Sequence, residues 1–387
     1  MAAANPNADP ILLYLIDLAK TSGKLDPLLR ASAATPGFAL AGTGATVVGD
    51  RIALDILLQD GAEADAAQAA LEAAGMTGVQ VDGRAASGWI DADALPALDA
   101  LDVVAFARLV YGQAHTGSVG AEGSLAINAD AGRADFGVDG SGVAVGALSD
   151  SFNALSGAQS DIASGDLPTV VVLEDSAGTD EGRAMLQIVH DVAPGADLLF
   201  HTANGGQANF AQGIRDLAAA GASVIVDDIV YLAEPFFQDG LVSRAVDDVF
   251  ADGVAYFSSA GNAARDSYEA AFVGSGQALT LQGSNGPVDF GEMHDFDPGA
   301  GVDVRQRVTV PNGGDLFITF QWDQPFASVS SGGRASASDL DILLFGAAGG
   351  LETANLFDLS ASFNVGGDPV EVFRFVNNTA STQFDLV

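Results

Sequence analysis

The chain has 387 residues, 48% hydrophobic and 17% charged, with 51 Asp and Glu against 15 Lys and Arg and a formal charge of −36. So much apolar material excludes a disordered acidic tail, because disorder couples charge to low hydrophobicity. The charge argues against nucleic acid and anionic membranes as partners, since both need basic patches. The absence of Cys excludes a disulfide framework, a thiol nucleophile and a Cys-ligated zinc.

The acids are 41 Asp and 10 Glu, and the only lysines are Lys20 and Lys24. This bias fits a secreted or high-salt protein, and genome composition produces the same bias. Length suggests about two or three domains. At the start, the apolar run Ile11–Leu18 is broken by Asp17, with no basic region before it and no small-residue cleavage site after it. It reads as a short amphipathic helix and not as a signal peptide. No stretch reaches the roughly 18 apolar residues of a membrane span. Residues 1–48 are thus expected to be a helix and a linker.

From 49 to 111 the pattern changes. RIALDILLQ (51–59) reads as a strand, and EADAAQAALEAAG (63–75) as a helix stopped by Gly75. GVQVDGRAASGWI (78–90) reads as one bent strand or two. ADALPALDAL (92–101) reads as a second helix and VVAFARLVY (103–111) as a strand. The order β-α-β-β-α-β is that of a ferredoxin-like split unit, and a generic small α+β module fits it equally. Residues 112–141 are rich in Gly, Ala and Asp without periodicity and read as a linker or processing region.

Between 142 and 272 strands alternate with helices. The strands are GVAVGALS (142–149), TVVVLED (169–175), DLLFHTA (197–203), ASVIVDDIVY (222–231) and VAYFSSAGN (254–262). The helices are EGRAMLQIVHDVA (181–193), ANFAQGIRDLAAAG (208–221) and DGLVSRAVDDVFADG (239–253). Near-continuous apolar strands in such an alternation predict a parallel sheet covered by helices on both faces. From 273 to 387 the helices disappear, and alternating runs with Gly and Asn turns predict a β-sandwich or jelly roll.

Ligands of open parallel sheets bind at the carboxyl ends of the strands. Asp150 follows the first strand, Asp227 and Asp228 interrupt the fourth, and Asn262 ends the fifth; Glu181 opens a helix. Singly, each has a plain structural role: a turn, a solvated strand end, or a helix start favoured by the dipole, with Thr179 or Asp180 as cap. Adjacent strand residues point to opposite faces, so only one of Asp227 and Asp228 can face a cleft.

Together, these residues resemble the subtilisin-like serine peptidases (subtilases) and their acidic relatives, the sedolisins. GVAVGALSDSF resembles the strand ending in the triad aspartate, at Asp150. DEGRAMLQIVHDVAPGADL resembles the helix that opens with the catalytic His, with Glu181 in that place. SSAGN resembles the stretch whose Asn lines the oxyanion hole, at Asn262. The resemblance implies a serine-type endopeptidase acting on protein or peptide substrates, without a catalytic cofactor and with structural calcium allowed. It implies that 49–111 is an inhibitor-like propeptide bound within the chain and that 142–272 is the peptidase domain. The C-terminal part is similar to sandwich modules carried by some bacterial members, here as an insert.

Two departures stand out. The base is a carboxylate, and the second helix acid of sedolisins, four residues along, is replaced by Met185; the supporting acid is then expected to be Asp150. His190, nine residues along the helix, falls on the side opposite Glu181. The Gly-Thr-Ser nucleophile motif appears nowhere in the sequence, and Ser258 and Ser259 precede Asn262 on its own strand. A truncated chain, expected to be inactive by itself for want of the nucleophile, accounts for this, and so does a non-catalytic extracellular binding protein on a degenerate peptidase fold. Asp227 or Asp228 is expected beside the substrate, against a basic side chain or calcium.

Overall fold

The computed structural model describes residues 47–48, 51–91, 93–98, 100–110, 112–114, 123–284 and 286–387; the expected N-terminal helix lies outside them. The first unit follows the expected order. A short strand β1 (Val47–Val48) leads into β2 (Arg51–Leu58), α1 (Ala64–Ala73), β3 (Met76–Asp82), β4 (Ala85–Asp91), α2 (Leu95–Leu98) and β5 (Val104–Leu109). The doubtful stretch 78–90 belongs to two strands, which turn at Gly83 in the left-handed region. All pairings are antiparallel, in the order β5-β2-β4-β3. One face of this sheet buries Ile52, Leu54 and Ile56 beneath Leu71 of α1 and Leu95 of α2.

The segment read as a linker holds structure. It contains β6 (Gly112–Ala114), α3 (Gly123–Ala126) and α4 (Ala129–Phe136). The sequence hides α4 because the helix buries almost nothing: Phe136 is 79% exposed, so no apolar stripe marks it.

The alternating region then forms β7 (Ala144–Ser149), α5 (Ala158–Ser164), β8 (Val170–Glu174), α6 (Glu181–Val192), β9 (Asp197–Thr202), α7 (Gln207–Ala219), β10 (Val224–Asp227), β11 (Ile229–Tyr231), α8 (Leu241–Ala251) and β12 (Ala255–Ser258). Five of these strands make an all-parallel sheet in the order β12-β10-β7-β9-β8. On one face Val145, Ala147 and Phe200 pack against Leu186 of α6 and Ala158 of α5. On the other, Leu148, Leu199 and Ile225 pack against Phe210 and Ile214 of α7 and Ala245 of α8. Burial on both faces is why these strands read as continuous apolar runs.

Two expected strands are shorter than read. ASVIVDDIVY breaks at Asp228: β10 stays in the parallel sheet, and β11 pairs antiparallel with β6. VAYFSSAGN keeps strand form only over β12, and 259–273 is exposed and irregular.

The rest is β13 (Gly274–Gly283), β14 (Gly286–His294), β15 (Gln306–Thr309), β16 (Asp315–Gln321), β17 (Ile342–Gly346), β18 (Leu356–Ser360), β19 (Val370–Val376) and β20 (Gln383–Leu386). These form antiparallel sheets: the hairpin β13-β14, the four-stranded β15-β20-β17-β18, and the pair β16-β19. Leu344 and Phe384 of the four-stranded sheet share one core with Phe373 and Phe375 of the pair. The molecule is thus mixed α/β, with one parallel five-stranded sheet and several antiparallel ones.

Candidate functional site at the carboxyl end of the parallel sheet

The chain leaves β7 toward β8 on one side and leaves β10 toward β12 on the other. Loops that diverge from neighbouring strands open a crevice at their carboxyl ends. Ser149 and Asp150 end β7 there, and Asp227 and Asp228 end β10.

Asp150 is wholly buried, and donors surround its carboxylate. It accepts hydrogen bonds from the backbone N–H groups of Ser151 and Thr179, from the Thr179 hydroxyl at 2.6 Å and from the backbone N–H of Glu181 at 3.0 Å. A carboxylate at the first turn of a helix satisfies an orphan N–H and meets the positive end of the dipole. Asp150 therefore caps α6 from the end of β7. The expected caps do otherwise. Thr179 spends its hydroxyl on Asp150, and Asp180 sits in the left-handed region at φ 62°, its carboxylate bound to Ser151, Leu155 and Arg183. A non-glycine residue held there stores strain that its partners must offset.

Glu181 is 7% exposed. Its carboxylate accepts a hydrogen bond from the Ser149 hydroxyl. Burial, then the charges of Asp228 and Asp150, raise its pKa from 4.5 to about 8. Asp150 accepts from the Glu181 N–H, its oxygens being already occupied by donors, and acts on the Glu181 carboxyl through its charge.

The strand alternation behaves as expected. Val224 and Val226 pack in the α6-side core, which sets Asp228 on the same face. Asp227 turns to the other face, accepting from the Ser258 hydroxyl at 3.0 Å and the Ile229 N–H at 3.3 Å. Burial raises its pKa, and burial plus the charge of Asp227 raise that of Glu234 to about 7. Ser258 is thus tied to Asp227, away from Glu181. Asn262 is exposed in the irregular stretch after β12, and no hydrogen bond among the described residues joins it to Asp150, Glu181 or Asp228. Sequence reasoning placed Asp228 on the strand but missed Ser149, whose only signal was its position one residue before Asp150.

The first unit docks against this domain. At the start of α7, Gln207 donates its backbone N–H to Asp55 at 3.3 Å and Asn209 donates to the Ser87 hydroxyl at 3.2 Å. Gly206 lies at φ 93°, and a Cβ there would stand 2.8 Å from Ser87 and 2.9 Å from Asp55. Arg108, 4.0 Å from Asp55 within the first unit, ties that unit to the C-terminal sheets through Asp368 at 3.2 Å.

Among the described residues no group of three or more His, Asp or Glu is placed to hold a metal ion, and no helix is long and apolar enough to cross a membrane. No protein-family model matches the chain, and no curated protein matches it.

Proposed function

We propose that the chain is a serine-type endopeptidase of the subtilase and sedolisin kind, with Glu181 as its base and protein or peptide as its substrate. The observation that carries this reading is the buried Glu181 carboxyl in the crevice between β7 and β10. It opens a helix whose first turn is fixed by the aspartate that ends the central strand. Ionised Glu181 takes the proton of an attacking hydroxyl and returns it to the leaving amine. Asp150 holds the helix start in place. On this reading the first unit is an intramolecular propeptide, its Asp55 and Ser87 closing the start of α7, and the C-terminal sheets are a sandwich insert built around one shared core. Secretion and structural calcium belong to the same proposal.

One observation favours a second reading, a non-catalytic extracellular binding protein on a degenerate peptidase fold. Among the described residues, the hydroxyl bonded to Glu181 is that of Ser149, which is wholly buried and out of a substrate's reach.

By itself the chain, which carries no Gly-Thr-Ser motif, is expected to be inactive on either reading. Extending it by a segment that bears such a motif, then incubating with unfolded casein across acid to alkaline pH beside labelling with a fluorophosphonate, separates the two. The peptidase reading expects the extended chain to cleave, to label at the supplied Ser, and to lose at least about 100-fold in Glu181→Gln, the usual scale for a positioned base. Cleavage untouched by Glu181→Gln overturns the role of Glu181. No cleavage and no labelling of the extended chain at any pH leaves the binding reading.

A further inference from the structure

We propose that the seam between the first unit and the C-terminal sheets is a binding site for an uncharged amide carrying an apolar group, either one residue of a peptide chain or a free small amide. The site stands whether or not the chain cleaves peptides.

A cavity of about 200 Å³ opens at this seam. Three stretches far apart in the chain wall it: β5 of the first unit, Ala233 after β11, and residues between 360 and 372, from the end of β18 into β19. Part of the wall is apolar, with Leu57 and Phe106 from the first unit and Val370 and Val372 from β19. Phe363 and Val365 also line the cavity and are exposed, which places them at its mouth.

The polar groups of the wall fall into two kinds. The carboxylates have their partners. Asp368 accepts from Arg108 Nη1 at 3.2 Å and from the Ser328 N–H at 2.9 Å. Glu371 accepts from the Ser360 hydroxyl and from the Ser362 N–H at 2.8 Å. Asn364 and Arg108 are different. Asn364 is 5% exposed. Its amide nitrogen donates to the Asp368 and Val370 carbonyls at 3.0 and 3.2 Å. Turned over, the side chain would set oxygen against oxygen, so its orientation is fixed. That leaves Oδ1 buried without a partner. The Arg108 side chain is bonded to Asp368 alone, and its Nε, 4.0 Å from Asp55, is buried without a hydrogen bond. An unmade hydrogen bond on a buried group is costly, and native structures hold few. Among the described residues five buried side-chain atoms lack a partner, and two of them belong to residues lining this one cavity.

The wall therefore calls for one acceptor and one donor. Water meets that need poorly. The space corresponds to about seven waters, each of which makes about three hydrogen bonds when buried. Beside Leu57, Phe106, Val370 and Val372 water finds too few, and displacing such water with an apolar group gains affinity. Charged ligands fit no better. The Arg108 charge already stands against Asp368 and Asp55, so a carboxylate would meet acids. An ammonium would find the oxygens of Asp368 and Glu371 taken by donors. A desolvated ion without a counter-charge is costly. An amide satisfies both groups: its carbonyl accepts from Arg108, its N–H donates to Asn364, and its apolar substituent covers the apolar wall.

Saturation-transfer NMR on the full chain tests this with N-acetyl-leucinamide. A ligand of about a dozen heavy atoms should bind with a Kd of about a millimolar, and the Arg108 Nε–H resonance should move as it is added. Free leucine, charged at both ends, should bind at least about tenfold more weakly. Ala105→Leu fills the cavity from β5 and should abolish the transfer. If that variant does not fold, Val365→Trp, at the exposed mouth, should do the same. A blocked pentapeptide with a central leucine distinguishes the two sources. Affinity at least about tenfold above the single residue assigns the site to a peptide chain, and equal or lower affinity assigns it to a free amide. No transfer from either amide, free leucine binding as well as the blocked residue, or undiminished binding in the filled variant overturns the proposal.

Discussion

Gly182, the second residue of α6, shows how tightly the site is set. A Cβ at this position would stand 2.9 Å from the Ser151 carbonyl and run into the Phe200 ring. Only a residue without a side chain lets α6 come this close to the ends of β7 and β9. Gly182→Ala must push the helix start outward and carry Glu181 away from Ser149 and Asp228. Overpacking of this kind costs about 1–3 kcal/mol. Urea unfolding should show a lower midpoint, and the titration midpoint of Glu181 should fall as its carboxyl regains water. A variant as stable as the parent, with an unmoved midpoint, would show that α6 has slack at this contact. Asp180, left-handed and pinned by three partners, holds the other side of the same turn.

Among the elements, the seam between the first sheet and α7 is the contact most open to test. The α7 start lacks a side-chain cap of its own, and Asp55 and Ser87 supply acceptors from another unit. Burial raises the pKa of Asp55 against the opposing pull of Arg108. Asp55→Asn weakens an acceptor of the Gln207 N–H and leaves the buried Arg108 with less counter-charge. An under-satisfied buried polar group costs about 1–3 kcal/mol. Amide exchange at Gln207 and Asn209 should quicken while the middle of α7 stays protected. Unchanged exchange at these two amides would mean that Asp55 does not hold the helix start.

Much of this element plan was legible in the sequence, for stated reasons. Strands buried on both faces, such as the run through Val145 to Leu148, read as continuous apolar stretches. The first unit announced itself by a change of period from two to 3.6 and back. What escaped was structure with nothing to bury, as in α4, and structure set by a distant partner. Alternation said that only one of Asp227 and Asp228 can face the cleft, but no local pattern says which one, or that Glu181 opens the helix beside it. Likewise the break between β10 and β11 depends on β6, more than a hundred residues earlier in the chain.

Among the described residues of the whole molecule, six carboxyls are raised above their ordinary range: Glu181 to about 8, Glu234 and Asp341 to about 7, and Asp55, Asp227 and Asp358 in the same direction. Desolvation is the leading cause in each. The folded chain then keeps protons that the unfolded chain has released, so their stabilising contribution is full below the unfolded pKa and is lost as pH rises through about 7 to 8. The negative charge grows in the same direction, adding self-repulsion. Asp139 and Asp295, lowered by hydrogen bonds from Ser141 and from the backbone of Asp303 and Asp297, act oppositely but only at more acid pH. Melting followed by circular dichroism should therefore give a higher Tm at about pH 5 than at about pH 8.5, with a shallower slope in Glu181→Gln. A Tm that climbs over this interval would contradict the protonated state of these groups.

The seam at α7 also bears on how the chain reaches its native state. Asp55 and Gln207 are separated by 152 positions, so the donors that begin α7 find their acceptors only after a very long loop has closed. Loop closure must come before such distant contacts return any energy, which slows folding. The first sheet, by contrast, is built from neighbours in sequence and has its own core. The kinetic order that follows is early formation of the first sheet, later consolidation of the parallel sheet upon it, and a refolding rate for the second unit that depends on whether the first is already assembled.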